Sequence, residues 1–318
     1  MENGAGSRPA FLFPGQGSQA VGMGKGFYTT SAGAKAVFEE ANEALGFDLT
    51  RLMFEGPEAD LALTANTQPA VLTASVAAAA ACAERGLEPG FAAGHSLGEY
   101  SALVVARALR FADAVRIVRK RGELMQHAVP VGTGAMAAIM GLDLAQVEEV
   151  CAEAAEDEVV GVANVNSPQQ IVVAGHRAAV ERAVALASTR GGKKSVLLAV
   201  SAPFHCALMA PAAEKLAREL DGIAVADPAI PVVRNVDAGV TRTAAEVKPF
   251  LLKQVASPVR WTDCVGRLAA EGASVFVEVG PGRTLTGLLK RSVEGVRGLS
   301  VEDPTGLEKA LAVIEGRG

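Results

Sequence analysis

The sequence has few cysteines, and their spacing predicts neither disulfides nor a metal site. The four of them, Cys82, Cys151, Cys206 and Cys264, lie far apart and include no CxxC pair. This arrangement is typical of neither a disulfide framework nor a zinc site. Reduced thiols are the default inside a cell, so the sequence predicts an intracellular protein without a resident metal ion.

Long basic blocks and long apolar segments are also missing. The formal net charge is -5, and the basic runs at 119–121 and 193–194 are too short to indicate a nucleic-acid partner. The longest apolar run, 69–83, is mostly alanine and too short to cross a bilayer. The first residues, 1–9, lack the basic and apolar regions of a secretory signal. We therefore expect a soluble, cytoplasmic protein that binds neither nucleic acid nor a membrane.

Aromatic residues are scarce, whereas small residues are abundant. Only 4% of the residues are aromatic, while 50% are hydrophobic and 34 are glycines. This composition favours close packing of helices on a sheet over an aromatic-rich binding surface. The length of 318 residues suits one large α/β domain with an insertion, or two modest domains.

Apolar runs and helical patterns alternate at both ends of the sequence. Strands are predicted at Ala10–Phe13, Phe91–Ala93 and Val275–Val279. Helices are predicted from a cap at Ser31 to Leu45, at Gln68–Arg85, Leu97–Ala108, Ala112–His127, Cys206–Leu220, Ala245–Val255 and Trp261–Ala270, and in a last core helix after Gly282. This alternation indicates a mostly parallel sheet with helices on both faces.

The middle of the sequence follows a different order. Strands are predicted at Gly134–Met140, Val159–Val165, Gln170–Ala174 and Lys194–Val200, with helices at 143–155 and 177–190. The order β-α-β-β-α-β is that of a ferredoxin-like unit. We therefore predict a small ferredoxin-like domain of residues 130–198, inserted into a large α/β-hydrolase-like domain of residues 1–129 and 199–318.

One pentapeptide carries a signal for nucleophilic catalysis. Gly94-His95-Ser96-Leu97-Gly98 fits the G-x-S-x-G pattern and lies between a predicted strand and a predicted helix. Side chains at the two glycines would clash in so sharp a turn. Ser96 would then stand at a helix N-terminus, where the Leu97 N–H can face an oxyanion. The alternative is an ordinary Gly-rich turn with a capping serine.

A serine nucleophile needs a base, and the sequence offers four histidines. His95 adjoins Ser96, but its side chain should leave the turn in another direction. His127 ends a predicted helix, and His176 opens one in the inserted segment. His205 follows a predicted strand, and catalytic groups of open α/β sheets gather at strand ends. This position favours His205 as the general base.

Seven segments are informative as a set. They are FPGQGSQ at 13–19, TQPA at 67–70, GHSLGEY at 94–100, RGELMQ at 121–126, NVNSP at 164–168, PFH at 203–205 and EVGPG at 278–282. In order and spacing they resemble the malonyl-CoA:acyl carrier protein transacylases and the acyltransferase domains of polyketide and fatty-acid synthases. The resemblance covers roughly Ala10 to Glu302.

The resemblance implies a ping-pong transfer with three central residues. Ser96 matches the nucleophile, His205 the general base, and Arg121 the arginine that holds the malonyl carboxylate. A guanidinium suits this last role because it gives a bidentate, permanently charged contact. The acyl group would pass from coenzyme A to Ser96, and then to the phosphopantetheine thiol of acyl carrier protein, without a bound cofactor.

The resemblance also implies supporting roles for five residues. Gln16, in a Gly-flanked turn, and Leu97 match the backbone oxyanion donors. The main-chain carbonyl of Gln254 matches the group that orients the histidine, and Asn164 matches a polar residue near it. Leu97 and Phe204 resemble the malonyl-selecting pattern, since a bulky Phe204 would leave little room for an extra methyl, worth ~1–3 kcal/mol.

Three other functions share parts of this pattern. A thioesterase-type serine hydrolase would use the same Ser96 turn, but it needs an acid before the histidine, whereas Glu214 follows His205. An acyltransferase with another preference, such as methylmalonyl-CoA, would differ only in its acyl pocket. A non-catalytic module that holds an acyl carrier would not need Ser96, His205 and Arg121 together.

Overall fold

The computed structural model of the protein describes residues 9–200 and 202–317. Its strands are β1 Ala10–Phe13, β2 Phe91–Gly94, β3 Gly134–Met140, β4 Val160–Ser167, β5 Gln170–His176, β6 Lys194–Leu197, β7 Val232–Val233, β8 Val240–Thr241, β9 Val275–Val279 and β10 Arg297–Val301. Its helices are α1 Lys25–Thr30, α2 Ala32–Leu45, α3 Leu49–Glu55, α4 Glu58–Leu61, α5 Thr64–Glu84, α6 Gly98–Val105, α7 Phe111–Gln126, α8 Leu144–Ala155, α9 Arg177–Thr189, α10 Ala210–Asp221, α11 Ala244–Val255, α12 Trp261–Ala270, α13 Thr284–Ser292 and α14 Pro304–Ile314, with a 3₁₀ turn at Ala207–Met209.

The larger sheet is mostly parallel, as predicted. Its strand order is β10-β9-β1-β2-β7-β8, and only β8 runs antiparallel to its neighbour. The register pairs Phe13 with Gly94 and Ala93 with Val233, so β1, β2 and β7 end at one edge of the sheet. Parallel sheets place their ligand sites at this edge, beyond the carboxyl ends of the strands.

The smaller sheet is separate and antiparallel. Its strand order is β4-β5-β3-β6, and its elements follow the predicted β-α-β-β-α-β order. Asp143 caps α8 by accepting from the Gln146 N–H, while the Gln146 side chain accepts from the Asp143 N–H. The strand β6 ends at Leu197 rather than at the predicted Val200.

Both faces of the smaller sheet pack against other elements. Along β3, Ala137 and Ile139 pack into a core with α8 and α9, whereas Met136 and Ala138 join the core of the larger unit. This alternation follows from the two-residue period of a strand. A parallel bridge between Asn164 and Val259 ties β4 to the segment before α12. The smaller sheet therefore lies against the edge where the parallel strands end.

The helix α5 begins four residues earlier than predicted, with Pro69 inside it. A proline in a helix removes the hydrogen bond to the carbonyl four residues before it. Here that carbonyl belongs to Ala65, and it accepts instead from Arg119 Nη1 at 3.0 Å. A side chain from α7 thus replaces the missing bond, which the local sequence could not indicate.

Other boundaries differ for local reasons. The helix α6 ends at Val105 rather than Ala108, because Arg107 adopts a left-handed φ of 61°. The helix α10 begins at Ala210 rather than Cys206, with a proline in its first turn. The helix after Gly282 is not the last core helix, since β10 pairs with β9 and α14 buries Leu307 and Leu311 behind it. Within the described part of the chain, no helix is long and apolar enough to span a membrane.

Candidate active site

The turn between β2 and α6 has the geometry that the pentapeptide predicts. Ser96 adopts a left-handed φ of 51°, which is rare for a residue other than glycine. A Cβ on Gly94 would stand 1.9 Å from Gly98, and a Cβ on Gly98 would stand 2.1 Å from the Phe13 carbonyl oxygen. Both positions therefore require glycine, because β1, β2 and α6 approach one another closely here.

Ser96 and His205 form a hydrogen-bonded pair. The Ser96 Oγ lies 2.7 Å from His205 Nε2, and His205 Nδ1 lies 2.9 Å from the main-chain oxygen of Gln254. A carbonyl oxygen can only accept, so Nδ1 carries the proton and Nε2 is free to accept from the serine. His205 itself has a left-handed φ of 61°, as Ser96 has one of 51°.

The electrostatic surroundings keep His205 neutral. Burial, together with the nearby Arg121 cation, lowers the pKa of the imidazole to about 3, while the Gln254 carbonyl acts in the opposite direction. The side chain of His205 is only 3% exposed. The ring is therefore in its proton-accepting form at neutral pH.

Arg121 lies buried beside the same serine. Its Nη2 is 3.1 Å from Ser96 Oγ and 2.9 Å from Gln254 Oε1, and its Nη1 is 2.8 Å from Gln68 Oε1. A Cβ on the next residue, Gly122, would stand 2.7 Å from the Thr64 oxygen, so this glycine lets α7 approach α5 and bring Arg121 inward. Burial lowers the pKa of Arg121, although an arginine stays charged at neutral pH.

The two predicted oxyanion donors belong to residues that line the same cavity as the serine. Leu97 is buried at the start of α6, while Gln16 is exposed in the turn after β1 and bonds Thr64 Oγ1 through its side chain. Among the described residues, neither the Gln16 nor the Leu97 main-chain N–H donates to a protein acceptor. Both amides are thus available to an oxygen placed near Ser96.

One cavity collects the predicted site residues. It is lined by Gln16, Ser96, Leu97, Arg121, Asn164, Phe204 and His205, with Gln254 beneath it. Asn164 reaches the cavity from β4, and the His205 ring nitrogens bond Ser96 and Gln254 rather than this asparagine. Phe204 lines the same cavity and is 8% exposed. This position is compatible with a role in acyl selection, which stays a prediction.

The other three histidines have different partners. His95 Nε2 is 2.9 Å from Asn166 Oδ1, His127 Nδ1 is 2.8 Å from the Glu123 oxygen, and His176 Nδ1 accepts from the Val159 N–H. The expectation that His95 leaves the turn in another direction is confirmed. Across residues 9–200 and 202–317, no cluster of three side chains could hold a metal ion.

The sequence did not indicate a role for Asn235. Its Oδ1 accepts from the Ser96 N–H and its Nδ2 donates to the Gly94 oxygen, both at 2.8 Å. Asn235 follows β7, which has only two residues and therefore shows no periodicity. Gln68 and Glu99, which contact the same group of side chains, stand within two of the informative segments but had no assigned role.

The sequence of this chain matches a known protein family. The family described as acyl transferase domain matches residues 10–310. The chain belongs to this family. A malonyl CoA-acyl carrier protein transacylase of Bacillus subtilis (strain 168) is 48% identical over 310 residues, which cover 97% of this chain and 98% of that relative.

Solved structures resemble this chain over nearly all of its length. An acyl carrier protein S-malonyltransferase from Vibrio cholerae is 48% identical with a TM-score of 0.94, covering 96% of this chain and 100% of that one. A malonyl-transacylase in complex with a type II PKS acyl carrier protein is 46% identical with a TM-score of 0.93, covering 98% and 100%. The mostly parallel sheet and the separate antiparallel sheet are thus the fold of the family, while the hydrolase-like description of the larger unit stays a prediction.

Proposed function

We propose that this protein transfers a malonyl group from malonyl-CoA to the phosphopantetheine thiol of an acyl carrier protein, through an ester on Ser96. One observation carries the proposal: a nucleophile, a neutral base and a buried cation meet at one atom. Ser96 Oγ is 2.7 Å from His205 Nε2 and 3.1 Å from Arg121 Nη2. The relatives named above support malonyl-CoA and acyl carrier protein as the two substrates.

In the first half-reaction, His205 Nε2 accepts the hydroxyl proton as Ser96 Oγ attacks the thioester carbonyl. The main-chain N–H groups of Gln16 and Leu97 receive the tetrahedral oxyanion. The Gln254 carbonyl, 2.9 Å from Nδ1, stabilises the imidazolium in place of a carboxylate. The C–S bond then breaks, and the proton passes from Nε2 to the sulfur of coenzyme A.

The second half-reaction is the reverse with a different thiol. The carrier thiol gives its proton to His205 Nε2 and its sulfur attacks the ester carbonyl. The bond from the carbonyl carbon to Ser96 Oγ breaks, and the proton returns to that oxygen. No group outside the cavity is needed to balance either step.

Arg121 is the group that would recognise malonyl rather than acetyl. Its guanidinium is 1% exposed, so an anion that reaches it is largely removed from water. The carboxylate of the malonyl group can take the place that Ser96 Oγ occupies on Nη2 in the structure. A neutral acyl group leaves the buried cation without a charged partner, which is unfavourable.

Two further elements extend the proposal. Phe204 and Leu97 line the cavity near the nucleophile, so a methyl branch on the acyl α-carbon would meet the Phe204 ring. We also infer that residues 130–198 form a ferredoxin-like domain inserted into a hydrolase-like domain of residues 1–129 and 199–318. The separate apolar core between β3, α8 and α9 supports this division. Asn164 would place a polar group of the inserted domain beside the acyl chain.

The test is to follow the acyl group. The wild-type protein and Ser96→Ala are mixed with malonyl-CoA, their intact masses are recorded, and phosphopantetheinylated carrier protein is then added. We expect a malonyl ester on the wild type only, which discharges to the carrier much faster than to water. Discharge to water alone would identify a thioesterase instead. An adduct with methylmalonyl-CoA but none with malonyl-CoA would overturn the acyl preference and leave the chemistry intact.

A further inference from the structure

A buried carboxylate lies beneath the nucleophile and takes no part in the steps above. Glu99 stands in the first turn of α6, three residues after Ser96, and is 3% exposed. An acidic residue in the first turn of a helix usually faces solvent, where it complements the helix dipole. Glu99 instead points into the protein, so its position needs a different explanation.

One oxygen of this carboxylate holds two neighbouring residues. Glu99 Oε2 accepts from the main-chain N–H of Asn235 at 2.9 Å and from the side-chain amide of Gln254 at 2.8 Å. Asn235 in turn accepts from the Ser96 N–H, and the main-chain oxygen of Gln254 accepts from His205. The carboxylate therefore touches both residues that place the nucleophile and the base.

The same oxygen also helps to fix which way the Gln254 amide points. Gln254 Nε2 donates to Glu99 and, at 3.0 Å, to the Ser96 carbonyl, while its Oε1 accepts from Arg121. If the amide were reversed, its oxygen would face two acceptors and its NH₂ would face the Arg121 donor. An acceptor at the Glu99 position disfavours that alternative together with the Ser96 carbonyl and Arg121, because an acceptor oxygen pairs with an N–H and not with another acceptor.

We propose that Glu99 is a positioning residue for acyl transfer, whose Oε2 holds Asn235 and Gln254 so that Ser96, His205 and Arg121 keep their reactive arrangement. The part that concerns acyl transfer rests on the proposed function, whereas the arrangement of Ser96 and His205 does not. What the site requires is an acceptor oxygen at this place. A negative charge there is not required.

The surroundings of Glu99 agree with this distinction. Burial raises the pKa of Glu99 to about 7, although the Asn235 and Gln254 donors and the Arg121 and Arg234 cations act against the shift. Since both donors bind Oε2, a proton can reside on Oε1 without breaking either bond. A neutral side chain of the same shape should therefore support the site as well as the carboxylate does.

Two conservative substitutions separate acceptor geometry from charge. Glu99→Gln keeps a carbonyl oxygen in place and removes the charge, whereas Glu99→Asp keeps the charge and withdraws the oxygen by one methylene. Glu278→Asp is the matched control, because Glu278 is also a buried carboxylate but accepts from the Leu285 and Thr286 amides of α13. Melting temperatures report the structural cost of each change.

The main readout is the rate at which phenylmethylsulfonyl fluoride modifies Ser96, followed by intact mass. This small neutral reagent tests the Ser96–His205 pair without malonyl recognition, and Ser96→Ala gives the background. We expect Glu99→Asp to be slower by about 10–100-fold, as for other supporting partners of reactive groups. Glu99→Gln and Glu278→Asp should keep most of the rate, and single-turnover acylation by malonyl-CoA should follow the same order.

The possible outcomes divide cleanly. The proposal is overturned if Glu99→Gln is slow, whatever Glu99→Asp does, because the charge would then matter. It is also overturned if Glu99→Asp reacts at the wild-type rate while only its melting temperature falls, as a purely structural role would give. If the wild type reacts with the sulfonyl fluoride but takes no acyl group from malonyl-CoA, the proposed function fails and the test of Glu99 still stands.

Discussion

The two sides of the cavity are built in different ways. We call the side that carries Ser96, His205 and Arg121 the floor; it belongs to the larger, mostly parallel unit. Its polar side chains are buried and are joined by hydrogen bonds of 2.7–3.1 Å. We call the opposite side, which carries Met136 and Leu198, the roof; it belongs to the antiparallel sheet and the residue after it. The side chains with which it lines the cavity are mostly apolar. The edge strand β6 and the residue after it even leave apolar side chains partly exposed.

The difference indicates that the two sides of the cavity have different roles. Groups that develop or receive charge during a reaction must be held in place before it starts, which a closed hydrogen-bond network achieves. Walls that only limit the size of the acyl group need bulk and not fixed polar atoms. Changes on the floor should therefore alter the rate and, at Arg121, the recognition of the malonyl carboxylate. Changes on the roof or walls should alter the size of acyl group that is accepted.

The largest effect is expected from removing the nucleophile. Ser96→Ala should lower single-turnover transfer to the carrier by about 10⁴-fold or more, and adding His205→Ala should cost little further, since the two act as one unit. Met136→Ala on the roof is the control and should reduce the rate only modestly. A comparable loss in Met136→Ala would show that the roof takes part in the chemistry.

We expect Asn235→Ala to lower the rate less than Ser96→Ala does, but to lower the stability of the protein clearly. Asn235→Ala leaves the Ser96 N–H and the Gly94 oxygen without their partners in a buried place, so the free energy of unfolding should fall by about 1–3 kcal/mol. Acylation should slow as well, because the turn that carries Ser96 is less firmly held. Urea unfolding and acylation are compared with Asn166→Ala, which loses only the His95 contact. Equal effects of the two changes would remove the distinction between floor and roof.

The wall residue Phe204 should change selectivity more than rate. Phe204→Ser opens space beside the acyl α-carbon, and one methyl in a pocket is worth about 1–3 kcal/mol. We expect the ratio of kcat/KM for methylmalonyl-CoA over malonyl-CoA to rise by about tenfold or more. Phe204→Leu serves as the control of intermediate size. An unchanged ratio would exclude Phe204 from acyl selection.

The smallest effect is expected from pH. A depressed pKa means that the neutral imidazole, with its proton on Nδ1, dominates until the pH falls to about 3, so His205 Nε2 stays an acceptor throughout the neutral range. Acylation of Ser96 by malonyl-CoA should then show no step at the ordinary histidine pKa of about 6.5. A loss of half the rate near that pH would mean that the imidazole is more exposed to water than the floor geometry allows.

The sequence predicted the floor only in part. Ser96 follows from a turn motif, which is a local feature. His205 was favoured by a predicted strand end, but β6 ends at Leu197 and belongs to the antiparallel sheet, so His205 does lie beside Ser96 but that reason was wrong. Arg121 came from the family resemblance alone, although it lies on the buried face of α7 with Val118 and Met125, where Arg119 does not. Asn235 follows a strand of two residues, and Glu99 has the appearance of a first-turn surface carboxylate.

The fold shows the same limit. The β-α-β-β-α-β order was predicted because its strands and helices show clear periods, and because Asp143 caps the first of its helices. The start of α5 was wrong because Arg119, from a distant helix, compensates for Pro69. The strand β10 was missed because it opens with Arg297 and Gly298 and has no apolar run. Features fixed by tertiary contacts were therefore invisible in the local pattern.

The most direct test concerns the buried cation on the floor. Single-turnover acylation of Ser96 is measured with malonyl-CoA and acetyl-CoA for the wild type, Arg121→Met and the surface control Arg116→Met. We predict that the malonyl-to-acetyl ratio of the second-order acylation rate constants falls by about 30-fold or more in Arg121→Met, since a buried charge pair loses one partner. The control should keep the wild-type ratio. Equal losses with both substrates would contradict the account, because Arg121 would then support the nucleophile without recognising the carboxylate.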